Sequence, residues 1–203
     1  MGSPVGPEGP GRPHSGAPAA VVRFRVSTRM MWPQPVSSVA VVLVVAAAVV
    51  WDLKSRRVPN ALTLGGAVAA IVVAGFTQGW PGVLRSGAGW VTGAALFFPL
   101  FALGGMGAGD VKLLAAIGAW LGPIGAVWAG LYGAVAGGVM ALAVALGRGY
   151  AGVAVRNVGA MLRLWSAGGV QRVDGLTLAD KTSVRLPYAL PLAVGALLAI
   201  WTA

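Results

Sequence analysis

Apolar runs of near-bilayer length, recurring along the whole chain, constrain this sequence more than any other feature. They lie at about Val36–Trp51, Ala61–Thr77, Val83–Leu103, Val111–Leu121, Ile124–Leu146 and Leu186–Thr202. A helix needs about 20 apolar residues to cross a hydrocarbon core. All the runs but the fourth approach that length. The fourth covers only about half the core at 1.5 Å per residue, so other helices must shield it or the glycine-rich stretch Gly104–Gly109 must extend it. Only helices and closed barrels satisfy every backbone group in lipid, and runs this long and continuous fit helices. The expected fold is therefore all-α, a polytopic membrane helix bundle of about six transmembrane helices. A mean hydropathy of +0.80 and 10% charged residues agree with it. Gly122-Pro123 is expected to break the chain between the fourth and fifth runs.

The formal charge is +10. In a soluble protein that balance would suggest nucleic acid; here arginines anchor helix ends and set topology, so no nucleic-acid partner is expected. There is no cysteine, which excludes disulfides, a cysteine-ligated zinc module and thiol catalysis. The single histidine, His14, sits in a Pro/Gly-rich tail. A histidine metal site or a Ser-His-Asp triad is thereby disfavoured.

Residues 1–35 read as a disordered tail, with Met30 or Met31 as alternative first residues. Residues 36–203 form one membrane-embedded domain. The connection Asp52–Asn60 holds Lys54, Arg56 and Arg57. The connection Gly147–Arg185 holds Arg148, Arg156, Arg163, Arg172, Lys181 and Arg185. Six crossings put both on one side, which the positive-inside rule assigns to the cytoplasm. The tail arginines Arg12, Arg23, Arg25 and Arg29 oppose that assignment, and the loop charges outnumber them. Within the 147–185 loop, Val155, Val158, Leu162 and Trp165 fall at helical spacing opposite Arg156 and Arg163, as in a basic helix lying on a membrane surface.

Of five acidic residues, only Asp52 and Asp110 touch apolar runs. Asp52 closes the first and Asp110 opens the fourth. Two crossings separate them, out and back, so parity returns Asp110 to the side of Asp52. Two carboxylates facing each other near a low-dielectric region do not both ionise easily; one keeps a proton while the other acts as base. Such a pair can activate water against a peptide bond, as aspartic proteases do. Each aspartate also has a plainer use as a helix cap or topological charge, and intramembrane acids also serve proton or ion pathways. Spacing alone leaves these open.

The flanks distinguish further. WDLKSRRVPNALT surrounds Asp52, and GMGAGDVKLLAAIGAWLG surrounds Asp110 with a Gly-x-Gly-Asp motif. In this order and two crossings apart, they resemble the type IV prepilin peptidase family, the Gly-x-Gly-Asp aspartic peptidases of bacterial membranes. The resemblance covers roughly Val36 to Thr202. The late LPYALPLAVG, Leu186–Gly195, resembles the family's final helix, with Ala189 where the family usually has glycine.

The resemblance implies that Asp52 and Asp110 are the catalytic pair, and that Gly107 and Gly109 let the backbone bend so that Asp110 faces its partner. Lys112, Pro59 and Asn60 match family positions and would bind substrate or position the backbone. Pro59-Asn60 would start the second helix, and Lys112 has a plainer reading as an anchor. Arg56 and Arg57 would hold lipid phosphate or an acidic substrate residue, or simply set topology. Larger members carry a zinc-binding cysteine module and methylate the new N-terminus. This chain resembles the short tight-adherence (Flp) branch, which implies cleavage without methylation, no metal and no cofactor. The implied partners are a prepilin and membrane lipids. The implied place is the bacterial inner membrane, with the active site facing the cytoplasm. Preflagellin or pseudopilin cleavage is the near alternative. A small proton-coupled transporter is the distant one, and it would show internal hydropathy symmetry, of which the sequence has no clear sign.

Overall fold

A computed structural model describes Gly2 and residues 35–55, 58–168 and 187–202. The rest of the tail, Arg56 and Arg57, and residues 169–186 of the basic loop lie outside the described residues. Among the described residues there are five helices and no strand: α1 Pro35–Ser55, α2 Asn60–Ala102, α3 Ala108–Gly147, α4 Ala151–Gly168 and α5 Ala189–Trp201. By length and composition α1, α2 and α3 are able to cross a membrane, and α5 is a shorter apolar helix. The protein is a membrane protein of the all-α class.

The chain reverses inside α2 and α3. Gly79 (φ 66°, ψ −152°) interrupts α2, and Gly122 (φ 80°, ψ 179°) interrupts α3. Both have the positive φ that glycine tolerates and other residues resist, and each is followed within two residues by a proline, Pro81 or Pro123. These breaks fall where the sequence separates the second run from the third and the fourth from the fifth. The second half of α2 packs antiparallel on the first half of α3. Cβ atoms added at Gly89 and Gly93 would strike the backbone of Gly118 and of Leu114, respectively. The second half of α3 returns along the first, with Ala126 against Gly118, and then packs on α5 where Gly133 meets Leu192.

Half-helices in an apolar interior leave carbonyls without partners. Pro123 has no N–H for the carbonyl of Ala119 four residues before it; the Ser86 hydroxyl donates there instead, at 2.8 Å. Arg85 Nη2 donates to the Leu121 carbonyl at 2.8 Å. Both donors come from one turn of α2, so the break in α3 is capped from its neighbour.

This explains how the short fourth run is housed. Val111 and all residues from Leu113 to Gly122 are buried, so this half-helix is the centre of the bundle. Around it stand one-sided stripes. On α1 the buried positions are Ser37, Val41, Val45, Ala48 and Asp52. On α5 they include Ala189, Leu192, Ala196 and Ala199. Spacings of three and four place each stripe on one helix face. The opposite faces leave residues such as Leu43, Val68 and Val139 exposed, as lipid-facing surfaces do. The basic-loop helix expected from Val155 and Val158 is present as α4, with both valines exposed.

Candidate active site

Asp52 continues the inward stripe of α1 into the helix's last turn. Its spacing from Val41, Val45 and Ala48 is what turns it toward the protein rather than toward lipid or water, and it is only 8% exposed. The C-terminal end of a helix is the wrong end for a negative charge. A different helix supplies compensation: the Ala189 N–H, in the first turn of α5, donates to Asp52 Oδ2 at 3.3 Å.

Asp110 stands in the first turn of α3, half-buried. It lies close enough to Asp52 for that charge to act on it. The path between them runs out along the first half of α2 and back along the second, so the two aspartates share one end of the bundle.

The bend expected at Gly107 and Gly109 lies elsewhere. Gly107 has an extended backbone (φ −78°, ψ 146°), which any residue adopts, and Gly109 is helical. The positive φ in this lead-in belongs to Gly104, at 78°. Space is what Gly107 provides. The Asp110 side chain folds back over it, and an added Cβ would stand 3.2 Å from Asp110 Oδ2. At Gly109 an added Cβ would make an ordinary contact, 3.7 Å from Val58 Cβ.

Pro59 precedes the first residue of α2 and Asn60 opens it; the Pro59 carbonyl accepts from the N–H groups of Leu62 and Thr63 at 3.1 and 3.3 Å. Lys112 Nζ donates to Asn60 Oδ1 at 2.9 Å on the exposed rim. These two side chains therefore meet each other and tie the start of α2 to the start of α3, one turn from Asp110.

The part that motif reading missed is the start of α5. Besides the Ala189 N–H on Asp52, the Tyr188 hydroxyl lies within electrostatic reach of Asp110, and its ring rests against Gly137 of α3. The signal was present in the sequence. Pro187-Tyr188 opens the last apolar run at the same end of the bundle by the same parity. Nothing in the spacing, though, shows that a backbone N–H there reaches Asp52. Tyr188→Phe is expected to slow turnover about tenfold or more, the scale of one hydrogen bond to a charged group, in a bundle that unfolds at the same temperature. An unchanged rate places the hydroxyl outside the chemistry.

Asp52 and Asp110 thus lie at one end of the bundle, one buried and one half-buried, and among the described residues no group of three or more His, Cys, Asp or Glu side chains could hold a metal ion. A family model described as the type IV leader peptidase family matches residues 39–142. The matched stretch contains both aspartates and the whole Gly-x-Gly-Asp lead-in, and it ends before α4 and α5. No curated protein and no solved structure matches the chain.

Proposed function

The chain belongs to the type IV leader peptidase family, and we propose from this that it is an aspartic endopeptidase that removes the short leader of Flp-like type IV prepilins. The family makes it a peptidase acting on prepilin-like substrates. The observation that supports the finer reading is that Asp52 and Asp110, 58 positions apart, lie at the same end of the bundle with their charges felt by each other.

The chemistry follows from the pair. One carboxylate takes a proton from a water held between the two. The resulting oxygen nucleophile adds to the scissile carbonyl. The other carboxyl, protonated, hydrogen-bonds the carbonyl oxygen as charge develops on it. Collapse of the tetrahedral intermediate breaks the C–N bond, and a carboxyl proton passes to the departing amine. Each turn uses one water and restores the single shared proton.

Asp52 is held by the α5 N–H, which leaves its other oxygen for water. Asp110 rides on a half-helix led by glycines, where a substrate backbone can approach. Gly107, Gly109, Pro59, Asn60 and Lys112 serve this reading as positioning residues around the start of α3, through the space at Gly107 and the Lys112–Asn60 bond. A basic leader and an apolar helix suit a site at a bundle end, where water meets lipid. The basic connections support a cytoplasmic orientation of that end in the inner membrane. The absence of cysteine supports cleavage without the methylating module of larger members.

The test is co-expression with a Flp-type prepilin from the same genome, following leader loss on a gel and the new N-terminus by mass spectrometry. Cleavage just before the apolar helix, with an unmethylated N-terminus, is the expected result. A prepilin that stays full-length beside correctly inserted protein rejects the substrate class.

A further inference from the structure

The two halves of α3 do not end at the same height. They fold on each other about Gly122: Gly118 meets Ala126, and a Cβ added at Gly130 would stand 3.1 Å from Leu114 Cδ2. Both pairs are evenly spaced about the break, so Asp110 faces about Ala134 and Gly107 faces about Gly137. The neighbouring helices stop at that level too. Tyr188 and Pro191, at the start of α5, pack on Gly137. Leu96 of α2 meets Gly130, and α2 ends six residues later at Ala102. The second half of α3 runs on to Gly147, ten residues past Gly137 and roughly 15 Å further at the helical rise.

This overhang is apolar. No charged residue lies between Lys112 and Arg148. Val135, Val139, Leu142 and Leu146, spaced by four, three and four, form one stripe, and each is more than half exposed. A Cβ added at Gly138 or at Gly147 would meet open space. The stripe starts on the lipid-facing side of the bundle and continues unbroken to the helix end. At Gly149 (φ 73°) the chain turns into α4. There the exposed Val155 and Val158 share a helix with the exposed Arg156 and Arg163, as in a helix lying where hydrocarbon meets headgroups.

The other side of the same end is polar. Lys54, Asn60 and Lys112, all exposed, stand beside the aspartates. Such groups belong in water or among headgroups. Along α1 and α2 the hydrocarbon therefore ends at the level of the aspartates. Along α3 it has reason to continue, because water over the stripe would leave large apolar side chains hydrated where lipid already covers their neighbours below. The stretch Pro123–Gly147 is about 37 Å long, against a hydrocarbon core of about 30 Å. Tilting of the helix or local thickening of the bilayer accommodates such an excess.

We propose that lipid covers the Val135–Leu146 stripe to its end, so that the hydrocarbon surface stands roughly 15 Å higher along α3 than along the start of α2. The two aspartates stand at the foot of this step, open to water on the α1 and α2 side. The step does not depend on the peptidase reading and stands whether or not the pair cleaves a leader.

The chain has no cysteine, so single cysteines report depth directly. Leu142→Cys and Leu146→Cys probe the overhang, Val68→Cys is the lipid-facing reference and Lys54→Cys the water-facing one. Each protein is labelled with a polarity-sensitive fluorophore in vesicles of phosphatidylethanolamine and phosphatidylglycerol. It is then quenched by iodide on both sides of the membrane or by lipids brominated on the acyl chain. The labels at 142 and 146 are expected to be quenched by brominated lipid and to lose iodide quenching to the level of Val68→Cys, while Lys54→Cys shows the reverse. Iodide quenching at 142 and 146 as strong as at Lys54→Cys overturns the proposal and puts the overhang in water. Protection from both quenchers also overturns it, because protein then covers the stripe; a disulfide between two copies of Leu142→Cys identifies that cover as a second copy. Both probed side chains are exposed, so cysteine there removes little packing, and either position alone decides the question.

Discussion

Asp52→Asn and Asp110→Asn are each expected to lower the rate of leader cleavage on the order of 10³-fold, within the 10²–10⁴-fold range typical of a positioned acid–base group. Asparagine keeps the volume and hydrogen-bonding shape of aspartate but neither takes nor gives a proton. At position 52 the amide oxygen can still accept the Ala189 N–H that Asp52 Oδ2 accepts now, so the tie between α1 and α5 survives. At position 110 the half-buried side chain keeps its place over Gly107. The two variants should therefore insert and unfold like the wild type. The double variant should be no slower than either single one, because residues that act as one unit are not additive. Two single losses that multiply in the double variant would mean the aspartates act separately. A single variant that still trims the prepilin at the wild-type rate removes the pair from the mechanism.

Gly89→Ala is the second large effect, and it acts through packing. Gly89 lies on the second half of α2 against α3. An added Cβ would strike the Gly118 carbonyl and stand 2.8 Å from Gly122 Cα. Backbone atoms cannot rotate away as a side chain tip can, so the helices must separate. Overpacking of this kind typically costs about 1–3 kcal/mol, and a backbone obstacle puts it at the upper end. In a membrane the consequence is larger than the number suggests, because close backbone approach at small residues is what holds such helices together.

Separation there also displaces the half-helix that carries Asp110, eight residues before Gly118 on the same rigid segment. Thermal unfolding in detergent and leader cleavage should fall together. Gly87→Ala is the control. It lies two residues away on the same helix, nothing lies within 4 Å of its added Cβ, and alanine is the better helix former. It should leave stability equal or slightly raised. A Gly89→Ala protein as stable as Gly87→Ala would mean that α2 and α3 do not pack through these glycines.

Some of this organisation is legible without coordinates because it rests on local chemistry. The apolar runs dictate helices, since lipid offers the backbone no other partner. The breaks at Gly79 and Gly122 are marked by glycine followed closely by proline. The inward face of Asp52 was not legible in this way, because α1 is apolar on every side and its stripe of Val41, Val45 and Ala48 shows only in the structure. Parity of crossings alone brings Asp110 to the same end.

Other parts depend on distances between segments, which no local rule encodes. The Ser86 and Arg85 caps on α3 link positions more than thirty residues apart. The bend before Asp110 falls at Gly104 because the chain must turn out of α2 there, although Gly107 and Gly109 fit the motif equally well. The contribution of α5 to Asp52 spans 137 positions and lies beyond the stretch the family model matches.

The sequence by itself determined the solvent, the helical class, the two acidic residues and the side they share, because hydropathy, breaking residues and crossing parity are properties of the chain in order. Only the tertiary structure decided which backbone N–H holds Asp52 and which side chains close the broken half-helix. Those are outcomes of three-dimensional closure, where a polar group in an apolar bundle takes whatever partner the packing brings within reach.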